Sequence, residues 1–409
     1  MQNKRYYNFL IFACAFLWII MMGSKNVYTA EIVELVGVFN VDEAQVSLAM
    51  TYYFVTYSIT QIVLFFFMDN INIKWFLGVS MFLSGIVTVF IAFMTNMWQM
   101  WWLLAFNGIL QAGVWGMCIA MLKKYLPSSM LATANTIMNV GMAVAGIISY
   151  GSASLFVGIG HWDLPFIVLG IILSISAVLF IIAVHLCETR TNKELSTVEE
   201  KVINTEEPIF NLNSKISKSV FFCAAFLMSL IIHATFYAVM NWMPSMLTQN
   251  YGLDNAIGIL LSIFAPVASI IGAIASIYHC EKHKNFLVVT IIYVTIGTIL
   301  ALLMVLFYKS GVIIATVLPV LYLVIFQGII TIVFGVLPLK IGSGINSGGL
   351  ASLMNAAGGF AAGFAPVLSA NLFSSQGWST YYIVIFAITA FILIATITVY
   401  LITNKKKKA

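Results

Sequence analysis

The segment CETRTNKELSTVEEKVINTEEPIFNLNSKISK, residues 187–218, decides how this chain is read. It carries Glu188, Glu194, Glu199, Glu200, Glu206 and Glu207 among five basic residues, with little apolar content. Such a composition gives a solvated linker. On both sides of it the character reverses: of 409 residues, 62% are apolar and only 8% charged, against roughly 45–50% and 25% in an ordinary soluble domain. So few charges cannot solvate the surface of a folded monomer, and lipid must be the solvent for most of the exterior. A soluble globule, a disordered chain, a coiled coil and a disulfide scaffold are excluded together. The five cysteines sit in or beside apolar runs, without spacing suited to a metal or a disulfide. No cofactor or metal is expected, and the net charge of +5 does not imply a nucleic-acid partner.

Six apolar runs precede the linker: Asn8–Val38, Glu43–Met68, Trp75–Met94, Met97–Met121, Leu131–Val157 and Leu164–His185. Six follow it: Ser219–Leu247, Asn255–Cys280, Phe286–Phe307, Val312–Pro338, Gly349–Phe373 and Tyr381–Thr403. Each has about the 20 residues a membrane helix needs, and none shows the short alternation of a membrane β-barrel strand. The expected fold is all-α, with twelve spans in two pseudo-symmetric halves, residues 1–186 and 219–409, joined by residues 187–218. With twelve spans, seventeen of the nineteen Lys and Arg residues fall on one side, which marks that side and both termini as cytoplasmic. Lys309, in a short outer loop, and Lys25, inside the first span, are the exceptions. Lys4-Arg5 before an apolar run imitates a signal peptide, but the apolar character recurs throughout, and the run is taken as an uncleaved first span.

The halves echo each other. Phe106-Asn107-Gly108-Ile109-Leu110 in the fourth span recurs as Phe326-Gln327-Gly328-Ile329-Ile330 in the tenth, and Ile137-Met138-Asn139 in the fifth as Leu353-Met354-Asn355 in the eleventh, at nearly one offset. Two such matches argue for an internal duplication, an architecture of transporters. The third, sixth, ninth and twelfth spans lack internal charges and amides, which places them against lipid around the other eight.

In these features the chain resembles the major facilitator superfamily over essentially its whole length. That resemblance implies a transporter fold, and it implies that Asp69, with Lys74 the remnant of the family's signature between helices 2 and 3, gates the cytoplasmic side; a solvated acid capping a helix is the alternative. Within the superfamily, Ser24-Lys25-Asn26, Gly108-Ile109-Leu110-Gln111 and Asn241-Trp242-Met243-Pro244 resemble the organophosphate:phosphate antiporter and anion:cation symporter group. The group's basic substrate residues are replaced by Phe236, Gln61 and Ala120, and no arginine lies in any span. A lone lysine cannot reproduce the bidentate fork that arginine offers phosphate.

Lys25 is the sharpest site signal, because an intramembrane charge is a functional hypothesis by default; its alternative is a structural ion pair with Glu31 or Glu34. Glu31 and Glu34 are candidates to carry a coupling proton, although the first run, about 46 Å long at 1.5 Å per residue, would put them near water. His233, Tyr237 and Asn241 recur at i, i+4 and i+8 on one face of the seventh span, roughly opposite Lys25 by the pseudo-repeat, and His233 is a second coupling candidate. Asn26, Tyr57, Gln61, Gln111, Asn139, Gln327 and Asn355 complete a proposed polar lining, with interhelical hydrogen bonding as the competing role of each.

The expected function is secondary transport of a small organic anion across the cell membrane by a monomer, coupled to protons or a counter-anion. No Gly-x-x-x-x-Gly-Lys-Ser/Thr loop exists for ATP. A permease or efflux pump for a neutral metabolite or drug is the runner-up, and a transport-inactive sensor is the reading from another class. An enzyme is not expected, because His161, His185, His279 and His283 are scattered at span ends and loops.

Overall fold

The computed structural model describes residues 2–67, 71–190, 215–283, 285–333 and 347–408, with the backbone alone at some helical positions. Among the described residues there are helices and no strands. In the N-terminal part these are α1 (Gln2–Ala30), α2 (Ile32–Phe39), α3 (Glu43–Phe67), α4 (Ile73–Ile91), α5 (Met97–Gln111), α6 (Val114–Tyr125), α7 (Ser128–Val157) and α8 (Leu164–Arg190). Then come α9 (Lys215–Tyr251), α10 (Asn255–Leu261), α11 (Phe264–Lys282), α12 (Phe286–Phe307), α13 (Val312–Thr331) and α14 (Ser347–Lys408).

Ten stretches among the described residues are long and apolar enough to cross a bilayer. The last, Ala356–Ile402, has 47 residues, about 70 Å of helix, and bends at Gly377, whose φ of 82° suits glycine. It therefore makes two crossings. Helix α3 completes the twelve: its 25 residues are enough, but tyrosines, threonines and Gln61 lower its hydropathy.

The chain forms two compact units, Met1–Lys201 with Asn255–Ile263, and Val202–Asp254 with Phe264–Ala409. Within the first, α1 packs on α7 and α8, α3 on α5, and α4 on α8; within the second, α9 packs on α14, α11 on α13, and α12 on α13 and α14. The same pairings of corresponding helices recur, as a duplicated six-helix unit requires.

Three expected spans are broken. The first stops at Glu31 (φ −93°, ψ 4°) and resumes as α2, which ends on Asn40 in the left-handed region, so Asn8–Val38 is not one continuous helix. The fourth divides between α5 and α6 around Gly113. The eighth divides between α10 and α11, and α10 belongs to the first unit: Ser154 Oγ donates to the Ala256 carbonyl (2.8 Å), and Ile259 is buried with Ala30, Tyr150, Ala153 and Val157.

The seam between α3 and α5 is a backbone approach. A side chain at Gly108 would overlap the Tyr53 carbonyl and Thr56 Oγ1, while Thr56 Oγ1 donates to the Ala105 carbonyl (2.7 Å). The second unit makes the equivalent approach through Gly272 of α11, which lies under the Val324 carbonyl of α13. Gly108→Val should lower stability by about 1–3 kcal/mol, the usual cost of overpacking, read as an earlier thermal unfolding transition in detergent.

Candidate functional site

Helix α1 carries Lys25 and Asn26, both half-buried. The Lys25 ammonium lies 5.2 Å from the centre of the Phe54 ring on α3, a cation–π distance. Phe54 sits edge-on to Tyr53 (5.1 Å) and to Tyr57 (6.5 Å), and Tyr53 and Tyr57 stack on each other at 5.8 Å. Seven residues before Lys25, on the same face of α1, Trp18 packs against Trp115 of α6 at 4.9 Å. Lys25 forms no ion pair among the described residues.

Neither acid expected to neutralise it does so. Glu34 Oε2 accepts a hydrogen bond from Asn255 Nδ2 (2.7 Å). Glu31 is fully buried at the break between α1 and α2, and neither of its oxygens has a hydrogen-bond partner among the described residues.

Gln111 is also fully buried. Its Oε1 accepts from the Tyr53 hydroxyl (2.6 Å), and its Nε2 donates to Ser84 Oγ (2.8 Å) and Asn107 Oδ1 (3.3 Å). Ser84 Oγ donates to the same Asn107 oxygen (2.6 Å), and Asn107 Nδ2 donates to Thr88 Oγ1 (3.2 Å). The amide of Gln111 is thus committed to a closed network that ties α3, α4 and α5 together. Tyr53→Phe would leave Gln111 Oε1 without its donor, and about 1–2 kcal/mol of stability should be lost, measured as thermal unfolding, with the apparent affinity for substrate unchanged.

In the second unit, His233 is buried, and its Nδ1 lies 2.8 Å from the Ser229 carbonyl. A carbonyl only accepts, so Nδ1 carries the proton of that bond. The ring stacks on Tyr237 at 6.2 Å, and Gly358 of α14 leaves room for it, since a Cβ there would come within 3.1 Å of the imidazole. Ser229 Oγ donates to the Met354 carbonyl (3.0 Å) and the Trp242 indole to the Pro366 carbonyl (3.0 Å), so α9 is tied to α14 at two points. Asn241 is buried, and Gln327 on α13 is half-buried. Asp69 lies outside the described residues, as do the side chains of Asn139 and Asn355.

The structure places the Lys25 ammonium over Phe54, beside the expected Tyr57; Phe54 itself the residue-by-residue reading of polar positions passed over. Ser84 and Thr88 were missed for the same reason: only charges and amides were counted on α4.

The family model described as Major Facilitator Superfamily matches residues 11–344. Among solved structures, a bacterial homologue of the human lysosomal transporter Spinster is similar in its inward-facing unoccupied form, with TM-score 0.73 and 14% identity over 98% of each chain. Its inward-facing occupied form gives 0.70 at 14% identity over 97% of this chain and 95% of that one. The nucleoside transporter NupG gives 0.65 at 14% identity, over 98% of this chain and 99% of its own. No curated protein sequence matches. At such identities the likeness concerns the fold, while the family model spans most of the chain, and on that ground the chain belongs to the Major Facilitator Superfamily.

Proposed function

We propose that this transporter-family protein carries a small organic anion across the cytoplasmic membrane by alternating access, with protons as the coupling ion and Glu31 as their carrier. The observation behind the anion reading is the Lys25 ammonium, which lies within the span Arg5–Ala30 and forms no ion pair among the described residues. A charge held inside a membrane helix needs an opposite charge or water, and a ligand carboxylate would supply the first. The likeness of Ser24-Lys25-Asn26 to the anion-transporting group points the same way, while the lack of arginine in the spans disfavours a phosphate ester. Asn26, Tyr57, Gln61, Tyr237, Asn241 and Gln327 are offered as lining, with Asn139 and Asn355 assigned from the sequence. Asp69 as a gate, cytoplasmic termini and a monomeric state belong to the same proposal.

Glu31 supports the coupling part. An ionised carboxylate without a hydrogen-bond donor is costly where water is excluded, so a proton is the counter-charge within its reach. Reconstitution into liposomes tests the whole reading. Anion accumulation driven by an acid-outside pH gradient is the expected result. Flux seen only after preloading with a second anion would replace the proton by a counter-anion, and ligand binding without flux would make the protein a sensor.

A further inference from the structure

We infer that the Lys25 site selects small monocarboxylates with a flat aromatic body, an assignment that rests on the organic-anion reading and narrows it. The site offers one positive charge on a point-like ammonium. A dicarboxylate or a phosphate ester would bring a second negative charge with no cation to meet it in a low-dielectric setting.

The residue next to Phe54 on α3 offers a ligand no free hydroxyl. The Tyr53 hydroxyl and the Gln111 amide bond each other (2.6 Å), and Gln111, Ser84, Asn107 and Thr88 close the rest of the network among themselves. A polyhydroxylated acid would find the Tyr53 hydroxyl and the Gln111 amide already paired, and would lose part of its water shell without gaining them as partners.

Aromatic faces are what the site has in quantity. The Lys25 ammonium stands 5.2 Å from the Phe54 ring centre, and Phe54 and Tyr57 are both half-buried, with their rings 6.5 Å apart and edge to face. A carboxylate on the ammonium would bring an attached ring against these two side chains, where offset or edge-on aromatic contact adds to simple burial.

The test is ligand-induced thermal stabilisation of the purified full-length protein by benzoate, propionate, succinate, gluconate and glycerol 3-phosphate. Benzoate should act at a concentration at least tenfold lower than each of the others. Phe54→Leu should remove three- to tenfold of its advantage over propionate, while Phe54→Trp, which keeps a ring, should retain that advantage and so controls for damage to the fold. If succinate, gluconate or glycerol 3-phosphate binds more tightly than benzoate and still requires Lys25, the aromatic assignment falls and the anion reading stands. If benzoate stabilises Lys25→Gln as well as wild type, both fall. Stabilisation by none of the five also overturns the assignment.

Discussion

Lys25→Gln should reduce uptake of the transported anion by roughly 100-fold or more. Removing one partner of a desolvated ion pair costs about 3–5 kcal/mol, and each 1.4 kcal/mol is a factor of ten. The same substitution should leave the folded protein as stable as wild type or more so. That second readout separates the two roles a membrane lysine can have. Were Lys25 a structural partner of a carboxylate, its loss would strand a buried negative charge and lower stability by a similar 3–5 kcal/mol. Glu34 is already hydrogen-bonded to Asn255, and Lys25 forms no ion pair among the described residues, so no charge is stranded. Detergent-solubilised variant and wild type, compared by thermal unfolding and by initial uptake rate, should differ only in the second. Normal uptake by a stable Lys25→Gln protein would remove the lysine from the site.

Glu31→Gln should have the next largest effect, and a more selective one. Glutamine keeps the shape of a protonated glutamate but cannot release a proton, so the variant should lose accumulation driven by a pH gradient. Exchange of internal for external anion, which needs no net proton movement, should continue at a comparable rate. The structural basis is the position of Glu31 at the joint of α1 and α2, fully buried and without a hydrogen-bond donor for either oxygen among the described residues. Glutamine matches the protonated side chain in size and charge, so stability should change little. Gradient-driven accumulation that survives Glu31→Gln would move the coupling elsewhere, with His233 the next group to test.

Much of the fold is legible in the sequence because lipid enforces a coarse rule: every span must be long, apolar and helical. The breaks at Glu31, around Gly113 and at residues 262–263 are not legible. The last of them accompanies a contact between residues far apart in the chain, Ser154 with Ala256, which no local pattern records. The boundary between the last two spans, by contrast, is legible: the polar stretch 374–380 separates them, and Gly377, with its φ of 82°, lies inside it.

The site divides along a similar line. Lys25 stands out in sequence because a charge within a span is rare. Gln111 stands out equally, yet its amide closes a seam with Tyr53, Ser84 and Asn107. Polar side chains avoid lipid whether they line a path or join two helices, and the identity of a residue does not say which. The partner decides it, and for Gln111 the partners include a serine on a helix that the count of amides had set aside as lipid-facing. Phe54 is the converse. An aromatic residue in an apolar span carries no signal until an ammonium is found over its ring.

The most direct measurement is equilibrium binding of a carboxylate and of its primary amide to purified wild-type and Lys25→Gln protein, measured side by side. The four affinities form a cycle that isolates the interaction between the ligand's charge and the lysine. Wild type should prefer the carboxylate by about 100-fold, in keeping with roughly 3 kcal/mol for a desolvated charge pair, and the variant should bind the two alike. An undiminished preference for the carboxylate in Lys25→Gln, or equal binding of acid and amide by wild type, would contradict the assignment of Lys25 as the anion site.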